Sequence, residues 1–189
     1  LRPTSGPRKL IPSRRGLPGM PEIVSNTGPI IALAGIGQID LLRSLFGSIF
    51  IPPAVAAEIK DEKSLNALSR AEWITVRAVS GGLAVQLLRD ELDAGESEAI
   101  VLAQEVQAEL LLLDERTATR KARSIGLHTI GTLGLLLVAK EQGFIHTIQP
   151  MLEALRQTGF HMSIALYHQV LDSAGESSDA TPNRYTARG

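Results

Sequence analysis

Apolar runs along this chain are short, and they alternate between two periods. Glu22–Ser25, Ser48–Ile51, Leu110–Leu113 and His128–Ile130 each read as a brief strand. The four leucines of the third, flanked by acids, suit a strand buried on both faces. Trp73–Val79 alternates as a strand at a sheet edge does. Helix-period stretches cover Ile30–Ala34, Ile39–Phe46, Pro53–Ile59, Glu96–Val106, Glu115–Ile125 and Leu133–Glu141, with two more near Pro150–Gln157 and Ser163–Ser173. Gly35 and Gly37 separate the first two helices, and Pro52-Pro53 opens the third, where a missing amide proton costs nothing. Strands alternating with helices predict an α/β sandwich on a mostly parallel sheet. In such sheets the functional crevice lies off the carboxyl ends of the strands.

Composition narrows this picture. A chain of 189 residues, 44% apolar but only 4% aromatic, has one domain's worth of core, built from Leu, Ile, Val and Ala. Disorder of the whole is excluded, and base-stacking modules lack their aromatic platforms. With no cysteine there is no disulfide framework and no thiolate zinc site, which fits a reducing, cytoplasmic setting. No apolar run approaches the ~20 residues of a spanning helix.

The ends read differently from the body. Residues 1–19 are rich in Pro, Gly and Arg and are expected to be a non-domain leader, with Met20 as the start of a domain over 20–175. Residues 176–189 are polar, aperiodic and expected to be a disordered tail. Five of the nineteen Lys and Arg fall in residues 1–19 with no acid, so fourteen face twenty acids from Met20 onward. The body is acidic. A polyanion must be held there by a local basic ridge or a bound cation.

Common catalytic signatures are missing. There is no phosphate-cradling Gly-rich loop ending in Lys, no Gly-x-Ser-x-Gly elbow, and no histidine pair at helical spacing. What remains is acidic. Asn26 follows the first strand, Glu58 lies on the helix after the second, Glu96 and Glu98 sit in the first turn after Gly95, and Asp114 ends the leucine strand. Carboxylates gathered away from lysine repel one another unless a cation neutralises them, and hard oxygen donors suit Mg²⁺ or Mn²⁺. A bland reading accompanies each. Asp114 is also placed to cap the next helix, Glu96 to complement a helix dipole, and Glu58 to face solvent. Asp90, Glu91 and Asp93 read as a solvated loop. Glu96 and Glu98 lie about 200° apart on a helix, so only one can reach a shared metal.

Arg116, Arg120 and Arg123 fall on one stripe of the helix after Asp114. They form either a phosphate-holding ridge or a solvated face balanced by Glu115.

Four segments, in order and spacing, resemble PIN domains. Ile23-Val24-Ser25-Asn26-Thr27-Gly28-Pro29 resembles the family's opening strand and turn, and Ile51-Pro52-Pro53-Ala54-Val55-Ala56-Ala57-Glu58-Ile59 its second segment. Leu92-Asp93-Ala94-Gly95-Glu96-Ser97-Glu98-Ala99 resembles the third, and Leu111-Leu112-Leu113-Asp114-Glu115-Arg116 the fourth. The resemblance spans about Glu22 to Glu176 and is closest to a subgroup related to toxin ribonucleases of type II toxin–antitoxin pairs. It implies a three-layer α/β/α Rossmann-like fold and Mg²⁺- or Mn²⁺-dependent cleavage of single-stranded RNA. By the same resemblance, residue 26 with Glu58, Glu96 and Asp114 would bind metal, the three acids being catalytic and Glu98 the alternative third acid. Thr27 would offer a hydroxyl beside the metal, where RNA passes. A small antitoxin partner and a homodimer are further implications. The chain departs from the family at Asn26, where the usual residue is aspartate. An amide oxygen can ligate a cation but adds no charge and cannot serve as a base. The competing expectation is therefore a catalytically weakened nucleic-acid-binding or regulatory protein on the same fold.

Overall fold

Five short strands pair in parallel throughout. β1 (Ile23–Ser25) lies between β2 (Ile49–Ile51) and β4 (Leu110–Leu112), with β3 (Ile74–Val76) and β5 (Thr129–Ile130) at the edges, giving the order β3-β2-β1-β4-β5. This computed structural model describes residues 21–176; the expected leader and all of the expected tail except Glu176 lie outside the described residues.

The central strands alternate strictly between two cores. Ile23, Leu110 and Leu112 point into one with Leu33, Leu42, Leu135 and Leu152, while Val24, Leu111 and Leu113 point into the other with Ala99, Ile100, Ala103 and Ala118. Helices α1 (Thr27–Gly35), α2 (Asp40–Phe46), α8 (Thr132–Glu141), α9 (Gln149–Gln157) and α10 (Ile164–Ser173) supply the first core. Helices α6 (Ala94–Glu105) and α7 (Arg116–Ser124) supply the second, and α3 (Pro53–Glu58) connects β2 to the site edge. Because both faces are covered, β1 and β4 carry no polar alternation. This is the α/β sandwich on a parallel sheet predicted by the alternation of elements, in the three-layer α/β/α form that the resemblance implies.

Two helices have no counterpart among the predicted elements. α4 (Glu62–Arg70) fully buries only Ser64, with Ala67 and Leu68 half-buried against the first core. α5 (Gly82–Leu88) fully buries nothing, leaving Leu83 and Leu87 exposed although five of its seven residues are apolar. The expected strand over Trp73–Val79 is β3 alone, at the edge as anticipated. α1 starts at Thr27, and α6 starts at Ala94 because Asp93 caps it. Asp93 is exposed, as expected of a solvated loop, and also caps α6. Among the described residues no helix is long and apolar enough to cross a membrane.

The apolar residues of α8 and α9 bear on self-association. Leu135, Leu136, Val138, Leu152 and Leu155 are buried within the chain, and Leu133, Leu137 and Met151 pack against the same core. Their apolar character is consumed internally and supplies no argument for a dimer.

Glu176, assigned above to a disordered tail, is instead fixed. Its carboxylate accepts from Lys140 Nζ at 2.5 Å and from the amides of Ile148 at 2.7 Å and Gln149 at 3.0 Å, closing the start of α9. Its side chain is 12% exposed. Burial alone would raise its pKa, but the bonds from Lys140, Ile148 and Gln149 outweigh burial and hold the carboxyl below the usual glutamate range. A depressed carboxylate stabilises the fold above its unfolded pKa, and that contribution is lost as pH falls through the native value. Glu176→Gln should lower the melting temperature at pH 7 by about 3–6 °C. The gap should hold down to the ordinary glutamate range and close only as pH falls below it through the depressed native value; a gap that stays constant through that lower range contradicts the ion-pair account.

Candidate active site

β1 and β4 are the strands at which the sheet's order reverses, so a crevice opens beyond their carboxyl ends. Asn26 occupies its floor. Its amide proton bonds the Leu112 carbonyl at 2.9 Å, its residue is 6% exposed, and it stands at the N-cap position of α1 without making a side-chain cap bond. Its Oδ1 is buried with no hydrogen-bond partner. An orphaned buried acceptor of this kind costs about 1–3 kcal/mol and calls for a ligand.

Glu58, the last residue of α3, ties three elements together. It accepts from Thr27 Oγ1 at 2.5 Å and from the Gly95 amide at 2.8 Å, so it bridges the first turns of α1 and α6. Only glycine admits this approach, since a Cβ at residue 95 would stand 2.4 Å from Glu58 Oε2. Thr27, expected as an RNA contact and a hydroxyl beside the metal, donates its hydroxyl proton to Glu58.

Glu96 and Glu98 separate as their angular spacing requires. Glu96 is buried, accepts from the Asp93 amide at 3.2 Å, and completes a capping box in which Asp93 accepts from the Glu96 amide at 2.7 Å. Burial raises its pKa most; the Asp93 amide bond opposes this, and repulsion from Asp93, Glu115 and Glu58 adds to it. Glu98 turns away and accepts from the Ala54 amide at 2.9 Å, in the first turn of α3. Glu96 is therefore the acid in electrostatic reach of Glu58.

Asp114 does not cap the helix that follows it. That role falls to Glu115, which accepts from the Ala118 amide at 2.7 Å. Asp114 instead accepts from the Thr132 amide at 2.7 Å and from Thr132 Oγ1 at 2.6 Å. Gly28 and Gly131 flank it so closely that a Cβ on either would lie 3.3 or 2.7 Å from the carboxylate. Burial raises its pKa against the lowering effect of both Thr132 bonds.

Thr132, Gly95 and Glu115 escaped the sequence reading. Thr132 and Gly95 act on partners 18 and 37 residues away, and only the placement of Gly131-Thr132 between a strand and an apolar helix hinted at the former. Glu115 was read as a charge partner for arginines, whereas its carboxylate serves the backbone of α7.

The acids gather at one edge, yet among the described residues no three His, Asp or Glu are grouped closely enough to hold a metal ion. The donors suit a hard divalent cation in kind: an orphaned carbonyl oxygen, with Glu58, Glu96 and Asp114 free of any salt bridge among the described residues. Arg116, Arg120 and Arg123 line a cavity of about 720 Å³ that Asp114 also lines.

Over residues 22–176 the chain matches the model of the DUF3368 family, described as a PIN domain. A PilT N-terminus domain protein from the hyperthermophilic archaeon Sulfolobus solfataricus P2 is 23% identical, with a TM-score of 0.43, covering 62% of this chain and 92% of its own. A search of curated proteins gives no match.

The raised pKa of Asp114 has a direct consequence for stability. An acid whose pKa rises on folding binds more protons when native, so stability falls as pH climbs from its unfolded value through its native one. Asp114→Asn, measured in chelator, should melt higher than the parent at pH 7, by about 2–4 °C for ~1 kcal/mol of relieved desolvation. The two should converge at acid pH, below the ordinary aspartate range; a variant that melts lower at pH 7 refutes the assignment.

Proposed function

We propose, from the premise that this chain belongs to the PIN-domain family, that it is a metal-dependent endoribonuclease cleaving single-stranded RNA and acting as the toxin of a type II toxin–antitoxin pair. PIN domains are generally nucleases and typically use a divalent metal. The observation that supports this reading best is the placing, at one end of β1 and β4, of a buried carbonyl oxygen lacking a donor beside a carboxylate that makes no ion pair among the described residues.

Asn26, Glu58, Glu96 and Asp114 would hold Mg²⁺ or Mn²⁺. Such an ion supplies a water acidified toward neutral pH and positive charge for the leaving oxygen of a phosphodiester. The chain's own groups provide orientation. Thr27 and Gly95 fix the two oxygens of Glu58, and Thr132 fixes both oxygens of Asp114. Burial raises the pKa of Glu96 and of Asp114, so each holds a proton more readily than an ordinary carboxyl of its kind. Partners that follow from this reading are a small antitoxin protein and a second copy of the chain, in the cytoplasm.

Asn26 favours a second reading, nucleic-acid binding or regulation with weakened turnover, because it contributes no charge where the family has an aspartate. One assay separates the two. A labelled single-stranded RNA is incubated with the parent, Asn26→Asp and Asp114→Asn, in Mn²⁺ and in chelator. Weak cleavage by the parent, stronger cleavage by Asn26→Asp and none by Asp114→Asn are expected, all lost in chelator. The swaps are nearly isosteric, and circular dichroism confirms folding. Cleavage that survives chelator or is equal in all three rules out the metal mechanism. No cleavage of any RNA by any variant leaves the binding reading.

A further inference from the structure

Two of the three arginines of the α7 stripe have no structural employment among the described residues. Glu115, at the head of the stripe, gives one carboxylate oxygen to the Ala118 amide and makes no ion pair with the arginines. Lys121, on another side of the helix, pairs with Glu91 at 3.4 Å. Arg116 and Arg120 are exposed and have no hydrogen bond or ion pair among the described residues. Arg123 is held in place, its Nε donating to Thr129 Oγ1 at 2.8 Å across to β5.

All three border the same cavity, and Asp114 lies in its wall. The volume, about 720 Å³, falls within the range of small-molecule pockets, ~300–1,000 Å³, enough for a nucleotide unit of a strand. Charge is divided within the cavity. Carboxylates stand at the strand-end side, and guanidiniums run along the helix for about 10 Å, at 1.5 Å of rise per residue. Its lining has no aromatic side chain, so nothing there stacks on a base. Free guanidiniums with fork geometry in a concave wall recognise phosphate oxygens.

We infer that this cavity is a backbone-binding subsite for single-stranded nucleic acid, in which Arg116, Arg120 and Arg123 hold successive phosphates and lead the strand to Asp114. The strand is gripped by charge and not by base identity. The inference rests on the nuclease reading only for what the strand is delivered to; binding itself needs no metal.

The test is equilibrium binding of a short fluorescein-labelled oligouridylate in chelator, where cleavage cannot occur. Each phosphate neutralised on a single strand contributes a slope of about 0.7 in log affinity against log salt. Three contacts predict about 20-fold weaker binding between about 50 and 200 mM salt, and Arg116→Gln/Arg120→Gln should reduce that loss to about 3-fold while weakening binding at low salt. Both side chains are exposed, so the double variant should melt with the parent. Equal affinity and slope in parent and variant overturn the subsite. So does equal competition by a duplex of the same length or by polyglutamate, which would point to a duplex surface or an acidic-peptide site. Binding as expected together with no cleavage in Mn²⁺ defeats the nuclease reading and leaves the subsite standing.

Discussion

The hydrogen bond from the Asn26 amide to the Leu112 carbonyl carries the β1–β4 ladder one residue past the end of β1. That extension sets the register in which Asn26 and Asp114 face the same crevice. It also brings the starts of α1 and α8 to opposite sides of one carboxylate. β1 and β4 are buried on both faces, and a one-residue slip would exchange the residues of the two cores. The register of the central pair is therefore held by packing, and the site inherits it.

The acids at this edge are bonded to helix beginnings and not to lysines. Glu58 serves α6, Glu98 serves α3, Asp114 serves α8 and Glu96 closes the capping box of its own helix. Each meets the positive end of a helix dipole, which makes several nearby carboxylates tolerable in a half-buried crevice. The same arrangement explains why the acids stay apart as the chain stands. A cation binding there must compete with amide protons for the same oxygens, and Asn26 Oδ1 is the donor that has nothing to give up.

The sheet was legible because its strands are short blocks of Leu, Ile and Val closed by turn residues, and both faces are apolar. The acids were legible because strand ends and helix starts can be read locally. What could not be read was which acid serves which helix. The angular argument placed Glu96 and Glu98 on opposite sides, but only the fold shows that Glu98 reaches Ala54 while Glu96 feels Glu58. Asp114 and Thr132, or Glu58 and Gly95, meet through tertiary contacts that leave no periodic trace. α4 and α5 were missed for a different reason: each is a short helix whose leucines, at helical spacing, are few and mostly not buried.

Glu176 gives the chain a direction in time. Every element of the crevice, from Asn26 to Thr132, precedes α9, whereas the start of α9 is closed by a residue made after α10. During synthesis the residues of the crevice emerge while Lys140 and the Ile148 and Gln149 amides still lack their carboxylate. The core beneath β1 and β4 is completed by Leu152, Leu155, Val170 and Leu171 of α9 and α10, so the crevice reaches its full support only when Glu176 is also made.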